Sequence, residues 1–174
     1  MGTGTTRGRR PRLPLVVIGT AAVFLAMVGS LPMAYDVLWR PGPELVVTTD
    51  AGEELVRVSL KTDPTWEYVW IHSVAQVRVR DVFAWRDGTM LLTDQLTPLI
   101  DIAGLGHTPG RGDLRDDGDG GYWIAGIDAP IAGNVHRFLI GTERAPTTLV
   151  HAGRSFELSE THPGVRARIE VIEP

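Results

Sequence analysis

Two hydrophobic patterns divide this chain. From Leu13 to Tyr35, "LPLVVIGTAAVFLAMVGSLPMAY", no position is charged. Beyond Glu44, apolar positions recur at every second residue, in short runs broken by glycine, proline and aspartate. Period two marks a strand, because successive side chains point to opposite faces. "ELVVTTD" and "ELVRVSL" flank "AGE", which predicts a first hairpin. "WEYVWIHSVAQVRVRDVFAW", Trp66 to Trp85, predicts a second. "TMLLTDQL" follows Asp87-Gly88, a good two-residue turn. Later strand candidates are "YWIAGI", "VHRFLIG", "TTLVHA", "RSFELS" and "VRARIEVIE". No window of this body keeps a 3.6-residue apolar stripe, so little helix is expected. The predicted class is mainly β, an antiparallel β-sandwich or small barrel. Between the strands, Thr97–Gly121 is rich in Gly, Asp and Pro. Its first half is expected to cross the sheet and its acidic second half to form an exposed loop.

The uncharged run at 13–35 is a different object. As a helix it extends about 34 Å at about 1.5 Å per residue, and a hydrocarbon core is about 30 Å thick. "RGRRPR" precedes it, and arginines beside a first span favour a cytoplasmic N-terminus. Tyr35 and Trp39 fall where an interfacial aromatic belt belongs. The competing reading is a cleaved signal peptide, which has a shorter apolar region and a small-x-small cleavage site. "LPMAYD" is a poor site, with a proline inside it. The expected organisation is a basic cytoplasmic tail (1–12), one N-terminal transmembrane helix (13–35), a proline-marked linker (36–43) and an extracytoplasmic β domain (44–174). The chain would then be a single-pass protein of the cell membrane, with the lipid bilayer as a partner.

Charge follows the same division. The chain has a formal net charge of −4. Residues 1–43 hold Arg7, Arg9, Arg10, Arg12 and Arg40 against Asp36, so the negative balance lies in the body. An acidic body is a poor partner for nucleic acid, since phosphate binding needs a positive patch. With no cysteine, a disulfide framework, a thiolate nucleophile and Cys-ligated zinc are excluded.

Candidate chemistry centres on the second hairpin. Alternation puts Trp66, Tyr68, Trp70 and His72 on one face of its first strand. Val77, Val79, Asp81, Phe83 and Trp85 share a face of the return strand, with Arg78 and Arg80 on the other. A tip at Val74-Ala75 pairs Trp66 with Phe83, Tyr68 with Asp81, Trp70 with Val79 and His72 with Val77. The aromatic faces then coincide, and an acid and an imidazole lie among them. A buried carboxylate needs a partner; Tyr68, or His72 when protonated, can donate. The cluster Tyr68, His72, Ser73 and Asp81 is either a polar spot facing a pocket or a satisfied network that fixes strand register. Ser73 adjoins His72, but neighbouring strand residues face opposite ways, which argues against a Ser-His nucleophile.

Other signals are weaker. Asp113, Asp116, Asp117 and Asp119 in "DLRDDGDGG" lack the ligand spacing and the twelfth-position glutamate of an EF-hand, so a solvated turn is expected rather than a calcium site. The histidines, His72, His107, His136, His151 and His162, are scattered without zinc-site spacing. No GxGxxG after a strand, no GxSxG and no P-loop occurs. No cofactor or metal is expected.

Several of these stretches share an order. "YVWIHSVAQVRVRDVFAW", "DIAGLGHTPG", a "GGYW" strand, "HRFLIG" and "ELSETHPGVRARIEV" resemble the domain of unknown function 1850 family over about Glu44 to Val171. His72 and Ser73 match the family's His-Ser-Val strand end. Asp81 stands where the family more often has glutamate, and "IAGLG" departs from its usual turn. The resemblance implies a small, often membrane-anchored protein associated with TAXI-type tripartite ATP-independent (TRAP) transporters. Its implied partners are the transporter's membrane subunit and the TAXI-type solute-binding protein, and it implies no enzymatic activity. The expected role is therefore an accessory binding or scaffold module. The alternatives are a small extracytoplasmic enzyme using His72 and Asp81 as an acid–base pair, and a purely structural envelope protein.

Overall fold

A computed structural model describes residues 41–99 and 112–174. Residues Pro41–Pro174 form one compact unit. The anchor expected at 13–35 lies outside the described residues. Among the described residues, no helix is long and apolar enough to cross a membrane.

The unit is built almost entirely from antiparallel strands, as the period-two pattern requires. In chain order they are β1 (Glu44–Thr49), β2 (Glu54–Ser59), β3 (Thr65–His72), β4 (Val77–Arg86), β5 (Thr89–Thr97), β6 (Asp113–Asp116), β7 (Tyr122–Ala125), β8 (Ala129–Pro130), β9 (Val135–Leu139), β10 (Thr147–His151), β11 (Arg154–Glu157) and β12 (Arg166–Ile172). A four-residue helix, α1 (Leu158–Thr161), and a 3₁₀ turn at Ala132–Asn134 complete the set. One sheet runs β2-β1-β12-β9. The larger runs β11-β10-β3-β4-β5-β7-β6, with β8 also pairing β5. Among the described residues both orders are open paths, not closed rings.

Both sheets contribute to one core. Leu45, Val47, Val56, Val58, Ala167 and Ile169 of the smaller sheet cluster with Trp66, Tyr68, Phe83, Met90 and Leu149 of the larger. This is the burial that each amphipathic sheet needs on one face. β1 departs from simple alternation, with Leu45 through Thr49 all buried.

The three expected hairpins form. β1 pairs β2, β3 pairs β4 and β4 pairs β5, all antiparallel. Asp87 and Gly88 both take positive φ, 51° and 73°, the conformation of a two-residue turn that matches strand twist. The β3–β4 register is the one the aromatic alternation implies: Trp66↔Phe83, Tyr68↔Asp81, Trp70↔Val79 and His72↔Val77. The tip is a four-residue turn, Ser73–Gln76, closed by the Gln76 N–H donating to the His72 carbonyl at 2.7 Å.

One expectation needs correcting. The acidic half of 97–121 is not simply an exposed loop. Its residues Asp113–Asp116 form β6, paired antiparallel with β7 in the register Asp113↔Ala125 to Asp116↔Tyr122. All four β6 residues are exposed. The strand exists through its ladder to β7 and not through burial, so no hydrophobic alternation announces it. The first half of that segment, residues 100–111, lies outside the described residues. The turn between β6 and β7 is held by its own aspartates. Asp116 Oδ1 accepts the Gly118 N–H (2.7 Å), and Asp117 Oδ1 accepts those of Asp119 (2.9 Å) and Gly121 (2.8 Å). These carboxylates stabilise the turn locally, as short acidic side chains do.

Candidate functional site

The β3–β4 hairpin carries Asp81 into the buried layer. Asp81 is only 8% exposed, and both of its oxygens are occupied. Oδ2 accepts the Trp70 indole N–H at 2.9 Å, and Oδ1 accepts the Gln95 amide N–H at 2.7 Å. Gln95 is the cross-strand neighbour of Asp81 on β5. Burial raises the Asp81 pKa above its ordinary value, against the opposing effect of those two bonds. Removing water disfavours the carboxylate more than two donors favour it.

Tyr68 lies directly opposite Asp81 but is not its donor. Its hydroxyl is turned to Thr147, and burial, with a smaller contribution from the Asp81 charge, pushes its pKa up. His72 is also directed elsewhere. Its Nδ1 accepts the Ala75 N–H at 3.1 Å, so His72 caps the hairpin turn. Its ring meets Trp70 at 6.0 Å. Ser73 belongs to that turn, and its carbonyl accepts the Gln76 amide N–H. Two separate units therefore replace the single expected cluster. One is a buried Asp81–Trp70–Gln95 triad; the other is a half-exposed His72–Ser73 turn.

The pattern reading missed residues that complete the buried unit. His136 on β9 packs on Tyr68 (5.2 Å) and Phe83 (5.1 Å), and Phe138 meets Tyr68 at 5.0 Å. Their own alternation in "VHRFLIG" was the available signal: His136 and Phe138 share a face, while Arg137 and Leu139 are exposed. Burial lowers the His136 pKa, so the ring is neutral at pH 7. Two buried polar atoms here have no hydrogen-bond partner, His136 Nε2 and Gln95 Oε1.

A family model described as Domain of unknown function (DUF1850) matches residues 67–158, just over half of the chain. The chain belongs to the DUF1850 family. No curated protein and no solved structure matches it. The DUF1850 match begins in β3 and ends at the first residue of α1. That span is narrower than the resemblance, leaving β1, β2 and β12 outside. It holds every residue of the buried triad and of the His72 turn. In this DUF1850 member Asp81 acts as a pin between three strands, β3, β4 and β5. Among the described residues, no group of three or more His, Asp or Glu side chains is arranged to hold a metal.

The triad makes a pH-dependent contribution with a definite sign. Folded Asp81 keeps its proton at pH values where the unfolded chain, near pKa 3.9, has lost it. Its contribution therefore favours folding below that value and is lost as pH rises through the folded pKa. Asp81→Asn does not titrate. The stability of the variant relative to the parent is expected to improve as pH is raised from about 4 toward neutrality. Urea midpoints of both chains across that range check this. A constant difference would contradict it.

Proposed function

We propose that this chain is a membrane-anchored accessory protein of a TAXI-type TRAP solute transporter, working outside the cytoplasm as a binding or scaffold module. The observation that carries the proposal is a DUF1850 match over residues 67–158 in a chain whose residues 13–35 are an uncharged, arginine-flanked run of membrane-spanning length. We read the two open sheets with their shared core as a β-sandwich, a frame that presents loops and edges to partners. The arrangement of Asp81 favours this role over catalysis. An acid–base pair must reach a substrate proton, yet Asp81 is buried with both oxygens taken, while His72 holds a turn.

Affinity purification of the full chain from detergent-solubilised membranes tests the proposal. The transporter's membrane subunit and its solute-binding protein are expected to co-purify. They should be absent when an unrelated single-pass protein carries the same tag. Full recovery of the chain without either subunit would count against the proposal.

A further inference from the structure

The outward face of the larger sheet carries chemistry that the buried triad does not use. Arg78 and Arg80, on the face of β4 opposite Asp81, line a groove with a cavity volume of about 450 Å³. That size is ordinary for a small-molecule site. The apolar side chains of Val69 (β3), Leu96 (β5) and Val150 (β10) contribute to its lining, and the β6–β7 turn brings Asp117 and Asp119 to it. Arg78 has no hydrogen-bond or ionic partner among the described residues. Arg80 meets Glu67 only loosely, at 3.6 Å.

The strand order fixes how these charges are spread. β5 lies between β4 and β7, so the arginines and the acidic turn are about two strand spacings apart, on the order of 10 Å. With Glu67, the lining holds three acids against two arginines. A dicarboxylate would meet net repulsion, and a simple amine would leave the arginines unpaired. An ordinary short zwitterion cannot reach both ends.

We propose that this groove binds an amino carboxylate whose two charges are separated by a short apolar chain, as in an ω-amino acid or a basic amino acid. The carboxylate is held by Arg78 and Arg80, the methylene chain crosses Leu96 on β5, the strand between them and the acidic turn, and the ammonium meets Asp117 and Asp119. This site is independent of the transporter reading.

Calorimetric titration of the purified full chain with 5-aminovalerate and lysine tests it, beside valerate, pentylamine and glutarate. At least one of the two amino carboxylates is expected to bind saturably. Valerate and pentylamine, each lacking one charged end, should bind about tenfold or more weakly, the loss of one charge-assisted contact. Arg78→Gln should weaken 5-aminovalerate by a similar factor without lowering the unfolding midpoint, because the Arg78 side chain has no described partner to lose. Asp119→Asn should weaken 5-aminovalerate and pentylamine but not valerate. The proposal is overturned if neither amino carboxylate binds saturably, if valerate or glutarate binds as well, or if Arg78→Gln leaves affinity unchanged.

Discussion

Trp66→Ala is expected to destabilise the body by about 3–5 kcal/mol, the usual cost of emptying a buried tryptophan site. Trp66 is 2% exposed and lies in the core that both sheets share. Its ring stacks on Phe83, its cross-strand partner, at 5.8 Å and an interplanar angle of 9°. Truncation removes the apolar area and leaves a void that regular strands on both sides cannot collapse into. The indole N–H is buried without a partner, so it contributes nothing that a hydrocarbon ring lacks. Trp66→Phe should therefore cost clearly less than Trp66→Ala. Urea unfolding followed by circular dichroism checks both. Equal losses for the two variants would show that the ring's volume is not what the core needs.

Gly141→Ala is expected to be about as damaging, about 3 kcal/mol or more, at the upper end of overpacking effects. A Cβ at Gly141 would run into the carbonyl oxygen of Ala145 and press on the Thr147 hydroxyl at 3.2 Å. The obstacle is backbone, held by the Ala145 N–H bond to the Thr142 carbonyl (2.9 Å). The Gly141 N–H donates to Thr147 Oγ1 at 2.9 Å, and Thr147 pairs with Trp70 on β3. Neither side can retreat without breaking a turn or a ladder. The same unfolding experiment measures the loss, and a change under about 1 kcal/mol, the typical cost of a point substitution, would mean that the turn after β9 yields easily.

The hairpins were legible because their signals are local. Alternation of Trp66, Tyr68 and Trp70 against Val79, Asp81 and Phe83 set both faces and register, and Asp87-Gly88 marked its own turn. The partners of Asp81 were not legible. Gln95 reaches it from β5, whose pairing with β4 shifts between Val82 and Phe83, and no local pattern announces such a shift. His136 and Phe138 come from the other sheet, so their meeting with Tyr68 depends on how two sheets pack. Sequence parity put His72 on the face of Asp81 and could not show that a backbone N–H in the turn would occupy its Nδ1. β6 escaped for a different reason. Four exposed residues carry no burial pattern, and only their ladder to β7 makes them a strand.

In the proposed arrangement, a tether at residues 13–35 holds this two-sheet body on the outer side of the membrane. The absence of cysteine allows a direct test, since a single introduced thiol is the only one present. Val74, at the tip of the β3–β4 hairpin, is 86% exposed, so Val74→Cys should leave the fold intact. A membrane-impermeant maleimide added to intact cells is expected to label the Val74→Cys chain fully, with the labelled chain recovered in the membrane fraction. Labelling that appears only after lysis, or a labelled chain free of the membrane, would contradict the account.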